Sequence, residues 1–498
     1  MIQRLLIANR GEIAVRIARA CAELGIESVA VFSEADALAP HVLAADRAVP
    51  LGASPAIESY LSIPKILAAA RSVGADAVHP GYGFLSESAA LASACEESGV
   101  TFVGPPSNVM ARMGSKIEAR RLVQSADVPV VPGETPDDQS NEGVGRAIDR
   151  LGFPALIKAS AGGGGKGMRR VRDGRDLVAQ IESARREAHA AFGNGTLYVE
   201  RLLDAPHHIE IQVCADHAGR AVHLFERECS VQRRHQKVIE ESPSPNLTEG
   251  LRRRMVAAAL RIVEASAYRN VGTIEFLVDP PQQGHDAAFY FLEMNTRLQV
   301  EHPVTELVTG VDLVSAQLRV ASGETVPWRQ IELSQRGHAI EARVYAEDPA
   351  NGFLPQAGRL ILYHEPHMPG VRVDSGVTQG TEVGVHYDPL LAKVIAHGEN
   401  RGQAIARLVH ALRAFPILGI RTNVPLLLAI LEHPLFATGR MHTRSLDAEL
   451  PALLDRLSAA PPPFVQEAVR KATMRGSEAS SSMSAGWDPW RTLSGWRP

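Results

Sequence analysis

The most informative stretch of the chain is Glu293-Met294-Asn295-Thr296-Arg297-Leu298-Gln299-Val300-Glu301. Charged and amide side chains occupy every second position, and successive side chains of a β-strand point to opposite faces. If the stretch stays extended, its five polar side chains share one face and the other four pack. A solvated strand face is one interpretation. The mixture of carboxylates, amides and an arginine directly after the apolar residues 289–292 favours a site that binds metal, positions an anion and moves a proton.

The composition is that of an ordinary globular protein with several cores. Its 498 residues are 45% hydrophobic and 22% charged, which predicts roughly two to four structural units. The net charge is −4, whereas proteins that bind nucleic acids usually carry a strongly basic face. The N-terminus lacks a signal peptide, and no apolar run has the length of a membrane span. The four cysteines form no CxxC pair, which fits a reducing compartment. We predict a cytoplasmic protein, or the matrix form of an organelle protein after processing, without nucleic-acid or membrane partners.

Short apolar runs alternate with amphipathic helical patterns through the first 110 residues. This alternation predicts a parallel sheet with helices on both sides, and strands at residues 5–8, 28–32, 77–78 and 100–103. The segment Asn9-Arg10-Gly11-Glu12 has one glycine where a dinucleotide fingerprint needs three, which excludes NAD. The first helix carries Arg16, Arg19 and Glu23 opposite its apolar face, a pattern typical of a solvated surface.

Composition shifts divide the chain at residues 1–113, 114–204, 205–446 and 447–498. A linker-like segment at 132–143 precedes a second unit of strands around a glycine-rich loop. The third part is a larger mixed α+β unit with a hairpin-like pair of strands at 273–278 and 289–294, joined by a turn at 279–286. The serine-rich tail is expected to be partly disordered.

Residues 161–168 contain four consecutive glycines followed by Lys166 and Gly167. Backbone N–H groups without obstructing side chains can fold over a phosphate, although a mere flexible surface loop has the same composition. The loop is not a Walker A motif, because Gly167 stands where Ser or Thr is required. Lys158 before the loop and Lys116 upstream favour a phosphate site, since lysine is a compact cation for phosphate oxygens.

Glu275 and Glu293 both lie in apolar strands that are predicted to pair. Pairing brings two carboxylates together, and unpaired charges in such surroundings are costly. A divalent cation with oxygen ligands, Mg²⁺ or Mn²⁺, would satisfy both carboxylates. Salt bridges to Arg or Lys are the alternative. The coincidence with two lysines and a glycine-rich loop favours metal.

Several separate blocks of sequence are similar to those of one known family. The chain resembles biotin carboxylase of the ATP-grasp superfamily, which carboxylates biotin in acyl-CoA, pyruvate and urea carboxylases. The resemblance covers residues 1–446 and rests on residues 7–14, 79–87, the glycine loop, 232–237, 293–306 and 343–349. It implies an ATP-grasp fold of α/β and α+β class, with an N-terminal parallel-sheet domain, a glycine-rich lid domain at about residues 131–204 and a larger mixed C-terminal domain.

The resemblance also implies a role for each residue that matches the family's motifs. ATP would be held by Lys116, Lys158, Gly163, Gly164, Gly165, Lys166, Glu200, Leu203, His208, Gln232 and His235. Mg²⁺ or Mn²⁺ would be bound by Glu275, Glu293 and Asn295. Bicarbonate and biotin would lie against Tyr82, Lys237, Arg297, Gln299, Val300, Glu301 and Arg343. The helix face with Arg16, Arg19 and Glu23 matches a homodimer contact.

The implied activity is that of a ligase, with Lys237, Arg297, Glu301 and Arg343 as the catalytic set. Glu301 would deprotonate bicarbonate, which attacks the γ-phosphate of ATP to give carboxyphosphate. Loss of CO₂ leaves phosphate to deprotonate biotin N1, and Arg343 would stabilise the resulting enolate. This is the first half-reaction of a biotin-dependent acyl-CoA carboxylase.

The sequence lacks an Ala-Met-Lys-Met biotinylation motif, so a separate biotin carboxyl carrier is expected to present biotin. A carboxyltransferase would then choose the final acceptor. Residues 487–497 resemble the start of the next segment in fused acyl-CoA carboxylase α subunits. Two alternatives remain: another ATP-grasp ligase, which would not need Lys237, Arg343 and residues 297–301 together, and a non-catalytic subunit that binds nucleotide without turnover.

Overall fold

The computed structural model describes residues 1–160, 168–280 and 287–457. Its N-terminal part is a parallel five-stranded sheet, which confirms the prediction from strand–helix alternation. The strands lie in the spatial order Arg47–Gly52, Glu27–Ser33, Arg4–Ile7, Ala77–His79 and Thr101–Phe102. The edge strand Arg47–Gly52 was not predicted, because it contains a proline and half of its residues are exposed.

Helices cover both faces of this sheet. Leu5 and Ile7 pack in one core with helix Gly11–Leu24, whereas Leu6 packs in a second core with helix Ile63–Val73. The alternation follows from the two-residue period of a strand. The remaining helical segments of this part are Glu34–Asp36, Pro40–Ala44, Ala56–Glu58, Ala89–Glu97 and Ser107–Gly114.

The second unit follows helix Lys116–Ser125 and has a core of its own. Its antiparallel sheet has the order Gly133–Glu134, Leu197–Arg201, Ala155–Ala159, Arg169–Val171. Helices Asn141–Leu151 and Leu177–Phe192 pack against these strands. Residues 161–167, with Gly163, Gly164, Gly165 and Lys166, lie outside the described residues, as does most of the predicted turn at 279–286.

The third unit is built on an antiparallel sheet of eight strands. Their order is Ala288–Asn295, Asn270–Asp279, His207–Ala215, Ala221–Arg233, Gln236–Ser242, His338–Tyr345, Leu390–Gly398 and Val371–Ser375. Ile209 and Ile211 pack on helix Glu249–Ser266, and Ile340 packs in a separate core with helix Arg401–Arg413. The predicted hairpin-like pair is confirmed, with Glu275 directly opposite Glu293.

Shorter elements complete this unit. The helical segments are His302–Thr309, Leu313–Ala321, Gln330–Glu332, Pro349–Asn351, Val424–Leu431, Pro434–Ala437 and Ser445–Leu457. The short strand pairs are Glu347–Asp348 with Leu354–Pro355, Gly358–Arg359 with Glu382–Val383, and Leu362–Tyr363 with Ile417–Leu418. Helix Ser445–Leu457 crosses the predicted boundary at residue 446, because Leu446 and Leu453 are buried in the adjacent core.

The stretch 293–301 is not extended throughout, which corrects the prediction from its alternating pattern. The strand ends at Asn295, a turn follows, and helix His302–Thr309 begins with Glu301 as its N-cap. Pro303 in the first turn favours the helix, since its fixed φ and missing N–H are tolerated there. Glu293 is therefore exposed while Glu301 is fully buried, and the five polar side chains do not share one face.

Among the described residues, no helix is both long and apolar enough to cross a membrane.

Candidate active site

A row of charged side chains crosses the central sheet. Glu293, Glu275, Glu210 and Arg227 lie directly opposite one another on four neighbouring strands. Their strand neighbours point to the other face of the sheet, where Ile209 and Ile211 pack on a helix. The alternation thus gives the sheet one apolar face and one charged face.

Lys237 is the centre of this charged face. Its ammonium donates hydrogen bonds to Glu210 Oε2 at 2.6 Å, Glu275 Oε1 at 2.8 Å and Glu301 Oε1 at 2.6 Å. An ammonium has three N–H donors, so all of them are used. Burial alone would lower the pKa of Lys237, but the surrounding acidic groups raise it well above its ordinary value. Lys237 is therefore a permanent cation.

The hairpin turn places Lys237 within reach of these carboxylates. Strand Ala221–Arg233 returns as Gln236–Ser242 through Arg234 and His235, which have φ values of 48° and 68°. Two consecutive left-handed residues form the turn that matches the right-handed twist of paired strands. The turn sets Lys237 directly opposite Gln232 in the ladder.

Glu301 is held by two cations. Its second oxygen accepts a hydrogen bond from Arg343 Nη2 at 3.0 Å, and the same nitrogen contacts Glu240. Burial alone would raise the pKa of Glu301, but Lys237 and Arg343 hold it well below its ordinary value. Burial raises the pKa of Glu240 to about 7 despite Arg343. Glu301 is therefore the more acidic of the two carboxylates that contact Arg343 Nη2.

Polar groups around Glu275 complete the charged face. His208 Nε2 lies 2.9 Å from Glu275 Oε2, and Asn295 Nδ2 donates to Oε1 at 2.9 Å. Gln299 Nε2 donates to the same oxygen at 3.2 Å. Burial alone would lower the pKa of His208, but Glu275 raises it. Gln232 contacts His208 Nδ1 at 2.6 Å, so the predicted nucleotide residues His208 and Gln232 adjoin Glu275, a predicted metal ligand.

Arg297 lies on the turn after Asn295. Its Nη2 donates to Asn295 Oδ1 at 3.1 Å, its Nη1 donates to Gln299 Oε1 at 3.0 Å, and its Nε lies 3.3 Å from Glu87. Arg297 and Glu301 do not share a strand face, contrary to the sequence prediction. The turn nevertheless brings Arg297, Gln299 and Glu301 to the same end of the sheet, because Gln299 and Glu301 both reach the Glu275–Lys237 group.

Two lysines lie in a separate, more open region. Lys158 forms an ion pair with Glu200 across neighbouring strands of the second unit. Burial and the charge of Lys158 lower the pKa of Lys116, while Glu293 opposes them. Leu203, which follows Glu200 closely in the sequence, is buried, and His235 is exposed at the hairpin turn. The predicted phosphate residues Lys116 and Lys158 are thus electrostatic neighbours.

The donor set at Glu275, Glu293 and Asn295 suits a divalent cation. The Glu293 side chain keeps an exposed surface, but desolvation by the surrounding protein and the neighbouring charge of Glu275 raise its pKa. A cation between the two carboxylates would relieve this like-charge contact. All three side chains offer oxygen, the ligand that Mg²⁺ and Mn²⁺ prefer. Among the described residues, the groups of His, Cys, Asp and Glu whose ligand atoms lie close enough together for one metal ion are His208 with Glu210 and Glu275, and Glu210 with Cys229 and Glu301.

Arg16 departs from the predicted solvated helix face. Arg19 and Glu23 are exposed, but Arg16 is buried and forms ion pairs with Glu306 at 3.0 Å and Asp312 at 2.6 Å. The cause is contact with other elements, since helix Gly11–Leu24 packs against helix Leu313–Ala321. The helical spacing of the sequence could not reveal that Arg16 is buried against other elements.

Tyr82 adjoins the site through Lys393, whose Nζ lies 5.8 Å from the centre of the tyrosine ring. Lys393 Nζ also donates to the carbonyl oxygen of Val300 at 2.8 Å. Sequence reasoning gave Lys393 no role, and it missed Glu210 and Arg227 entirely. A glutamate and an arginine inside the apolar segments 207–215 and 221–233 were the available signal.

Three domain families match consecutive parts of the chain. They are the biotin carboxylase N-terminal domain at residues 1–110, the ATP-binding domain of the carbamoyl-phosphate synthase L chain at 115–329, and the biotin carboxylase C-terminal domain at 341–448. The biotin carboxylase of Halalkalibacterium halodurans is 48% identical over 443 residues, which cover 89% of this chain and 97% of that protein.

Longer relatives match equally well. The mitochondrial methylcrotonoyl-CoA carboxylase subunit alpha of Mus musculus is 48% identical over 89% of this chain, but the chain spans only 61% of that protein. A crystal structure of the biotin carboxylase domain dimer of Hydrogenobacter thermophilus 2-oxoglutarate carboxylase, with MgADP, ADP and bicarbonate, superposes with a TM-score of 0.87. It is 42% identical and covers 93% of this chain and 100% of that one.

Proposed function

The chain belongs to the biotin carboxylase family, and we propose that it carboxylates biotin on a carrier protein with ATP and bicarbonate. The single observation that carries the proposal is the buried contact of Lys237 and Arg343 with the two oxygens of Glu301. A base flanked by two cations suits deprotonation of a bound anion, because the cations neutralise charge that develops on it.

In this proposal Glu301 is the base that takes the proton of bicarbonate. Its lowered pKa keeps it charged, but both oxygens are engaged by Lys237 and Arg343. At least one of these hydrogen bonds must pass from Glu301 to the substrate before the carboxylate can accept a proton. Arg297 and Gln299, on the same turn, then orient bicarbonate, and the Val300 backbone contacts it.

Phosphoryl transfer from ATP to bicarbonate needs positioning and charge neutralisation more than covalent chemistry. Lys116 and Lys158 would hold phosphate oxygens, His208, Gln232 and His235 would lie along the nucleotide, and Glu200 and Leu203 would contact adenine. Glu275, Glu293 and Asn295 would hold Mg²⁺ or Mn²⁺. When bound, the metal supplies positive charge to the phosphate oxygens.

The carboxyl group is then transferred from carboxyphosphate to biotin. Loss of CO₂ leaves phosphate, which removes the proton from biotin N1, and CO₂ joins that nitrogen. Arg343 would stabilise the enolate, since its guanidinium is permanently charged and reaches the same pocket as Glu301. Tyr82 would border the biotin, since its ring and the Val300 carbonyl both adjoin Lys393.

The proposed partners are a biotin carboxyl carrier, a carboxyltransferase and a second copy of the chain. The exposed side chains of Arg19 and Glu23 are available to a homodimer contact, while Arg16 would act through its buried ion pairs. The buried thiols Cys21, Cys95, Cys214 and Cys229 are unpaired, which fits the proposed location in the cytoplasm.

The test is ATP hydrolysis by the purified chain with Mg²⁺ and bicarbonate, with and without free biotin. We expect hydrolysis that rises with biotin and disappears without bicarbonate. Biotin-independent hydrolysis would favour another ATP-grasp ligase. Absence of hydrolysis in a folded chain that still binds ATP would favour a non-catalytic subunit.

A further inference from the structure

A buried lysine with no role in the proposed mechanism lies directly behind the turn that ends in Glu301. Lys393 lies on strand Leu390–Gly398, and its side chain is completely buried. Its Nζ donates to the Val300 carbonyl oxygen at 2.8 Å and lies 3.1 Å from Glu12 and 3.7 Å from Asp374. Of these three contacts, the one with the Val300 carbonyl is a hydrogen bond, and the two carboxylates attract the ammonium as ion-pair partners.

The Val300 carbonyl is the informative partner, because it belongs to the backbone between two residues of the site. Gln299 donates to Glu275, and Glu301 accepts from Lys237 and Arg343. This segment is a turn between a strand and a helix, so regular ladder hydrogen bonds do not fix it. A hydrogen bond from a buried charged donor to the Val300 carbonyl is roughly twice as strong as a hydrogen bond from a neutral donor.

The helix after the turn is anchored to the same charged group. Asp374 accepts two hydrogen bonds from Arg372, at 2.9 and 2.7 Å, and Arg372 Nη1 donates to Glu306 at 2.7 Å. Glu306 lies on helix His302–Thr309 and also accepts from Arg16 at 3.0 Å. The segment with Glu301 is thus held at Val300 by Lys393 and one turn later by Arg372 and Arg16.

We infer that Lys393 is a positioning residue for the bicarbonate site, which it serves by holding the Val300 carbonyl and so fixing the turn that ends in Glu301. The inference rests on the proposed function for the identity of the anion. Lys393 does not touch the substrate. Its effect is on the placement of the Val300 backbone and the Glu301 carboxylate.

A merely structural role, neutralisation of Glu12 and Asp374, makes a different prediction. Asp374 keeps Arg372 when Lys393 is lost, and burial raises the pKa of the neighbouring Glu341 well above its ordinary value, which favours the neutral form of that group. Glu12 is then the carboxylate left without its cation. Burial raises the pKa of Glu12 to about 7, so a glutamine at this position replaces a group that is readily neutral. The double variant E12Q/K393M therefore removes the ion pair as a whole, which buried pairs tolerate better than loss of one partner.

The experiment compares E12Q/K393M with E12Q as the matched control, using the full chain in each case. Two readouts are taken: amide hydrogen exchange of peptides covering residues 298–306, and the KM values for bicarbonate and ATP in ATP hydrolysis. We expect E12Q to keep the wild-type exchange and KM values, because Lys393 retains the Val300 carbonyl and Asp374 as partners. In E12Q/K393M we expect exchange at 298–306 to accelerate about tenfold and KM for bicarbonate to rise about tenfold, with KM for ATP within about twofold.

The outcomes separate the two proposals. Unchanged exchange at 298–306, or a rise in both KM values alike, overturns the positioning role of Lys393 even in an active enzyme. A wild type without bicarbonate-dependent hydrolysis overturns the proposed function, and exchange then still decides whether Lys393 fixes the turn. If the double variant fails to bind ATP while E12Q binds it, Lys393 is a folding residue and the inference is wrong.

Discussion

Lys237 and Lys116 both lie near carboxylates, but they differ in how far the protein balances their charge. Lys237 has three carboxylates within hydrogen-bond distance, and its pKa is raised well above the ordinary value. Lys116 forms no ion pair within 4.0 Å among the described residues, and burial and Lys158 lower its pKa. The first lysine is satisfied by the protein, whereas the second adds unbalanced positive charge.

The difference indicates what each region is built to do. The Lys237 region pairs Lys237, Arg227 and Arg343 with Glu210, Glu275 and Glu301, so its charges are balanced and held in place before any substrate arrives. In the Lys116 region Glu200 compensates Lys158, whereas Lys116 keeps unbalanced positive charge. Preorganised groups suit proton transfer and charge stabilisation, and a lysine whose charge is not balanced suits a polyphosphate.

The largest expected effect is in the preorganised region. Glu301→Gln keeps the size of the side chain but removes the base, so bicarbonate-dependent ATP hydrolysis should fall by about 10²- to 10⁴-fold. ATP affinity should stay within about twofold, since Lys116 and Lys158 are untouched. Steady-state kinetics and ATP titration measure the two quantities.

The matched control is Glu264→Gln, which changes an exposed glutamate on helix Glu249–Ser266. It should leave both quantities unchanged. An active Glu301→Gln enzyme would remove the base assignment, and a parallel loss of ATP binding would mean that the two regions are not separable.

The second prediction concerns stability. Arg227 is completely buried and binds Glu210, Gln212, Thr273 and Thr305. Arg227→Met leaves these groups without their common donor and should lower the free energy of unfolding by about 3–5 kcal/mol. Urea unfolding followed by circular dichroism measures the change.

Its control lies in the second unit. Arg150 pairs with Glu134, but their side chains are 60% and 40% exposed. Arg150→Met should cost less than about 1 kcal/mol, because solvent screens an exposed pair. Equal losses in the two variants would contradict the view that the buried ion network is the rigid part of the molecule.

The sequence predicted the parallel sheet and the Glu275–Glu293 pairing, because both follow from local alternation. It did not predict where the alternating stretch leaves the sheet, since residues after Asn295 follow contacts with Lys237 and Arg343 from other strands. The prediction that Arg16 is solvated fails for the same reason, because its ion-pair partners lie about 290 residues away in the chain. Local periodicity identifies elements, and only tertiary contacts decide which polar side chains are buried.

A third prediction tests the interior of the preorganised region by pH. Glu341 is fully buried opposite Glu240, and burial raises its pKa well above the ordinary 4.5. The folded state therefore binds this proton more tightly than the unfolded state does. The protonated Glu341 contributes its full stabilisation below pH 4.5, and this stabilisation is lost as the pH rises towards the pKa of the folded state. Glu341→Gln has no such loss, so its stability relative to the wild type should increase by about 1.4 kcal/mol per pH unit within that window.

Thermal unfolding at pH 6 and pH 8 gives the comparison for Glu341→Gln. A widening advantage of the variant at pH 8 is the expected result. A constant difference would mean that Glu341 is already ionised when folded, with Lys393 as its compensating charge.

The smallest expected effect is in the open region and also depends on pH. Since the pKa of Lys116 is lowered, its ammonium begins to lose its proton below the ordinary 10.5, and ATP affinity should weaken by about fivefold as pH rises towards that value. Lys116→Arg should bind ATP with little pH dependence, because the guanidinium stays charged throughout. Equilibrium ATP titration isolates this effect from the titration of catalytic groups. A wild type as insensitive to pH as Lys116→Arg would mean that Lys116 is compensated as fully as Lys237, and the contrast between the two regions would disappear.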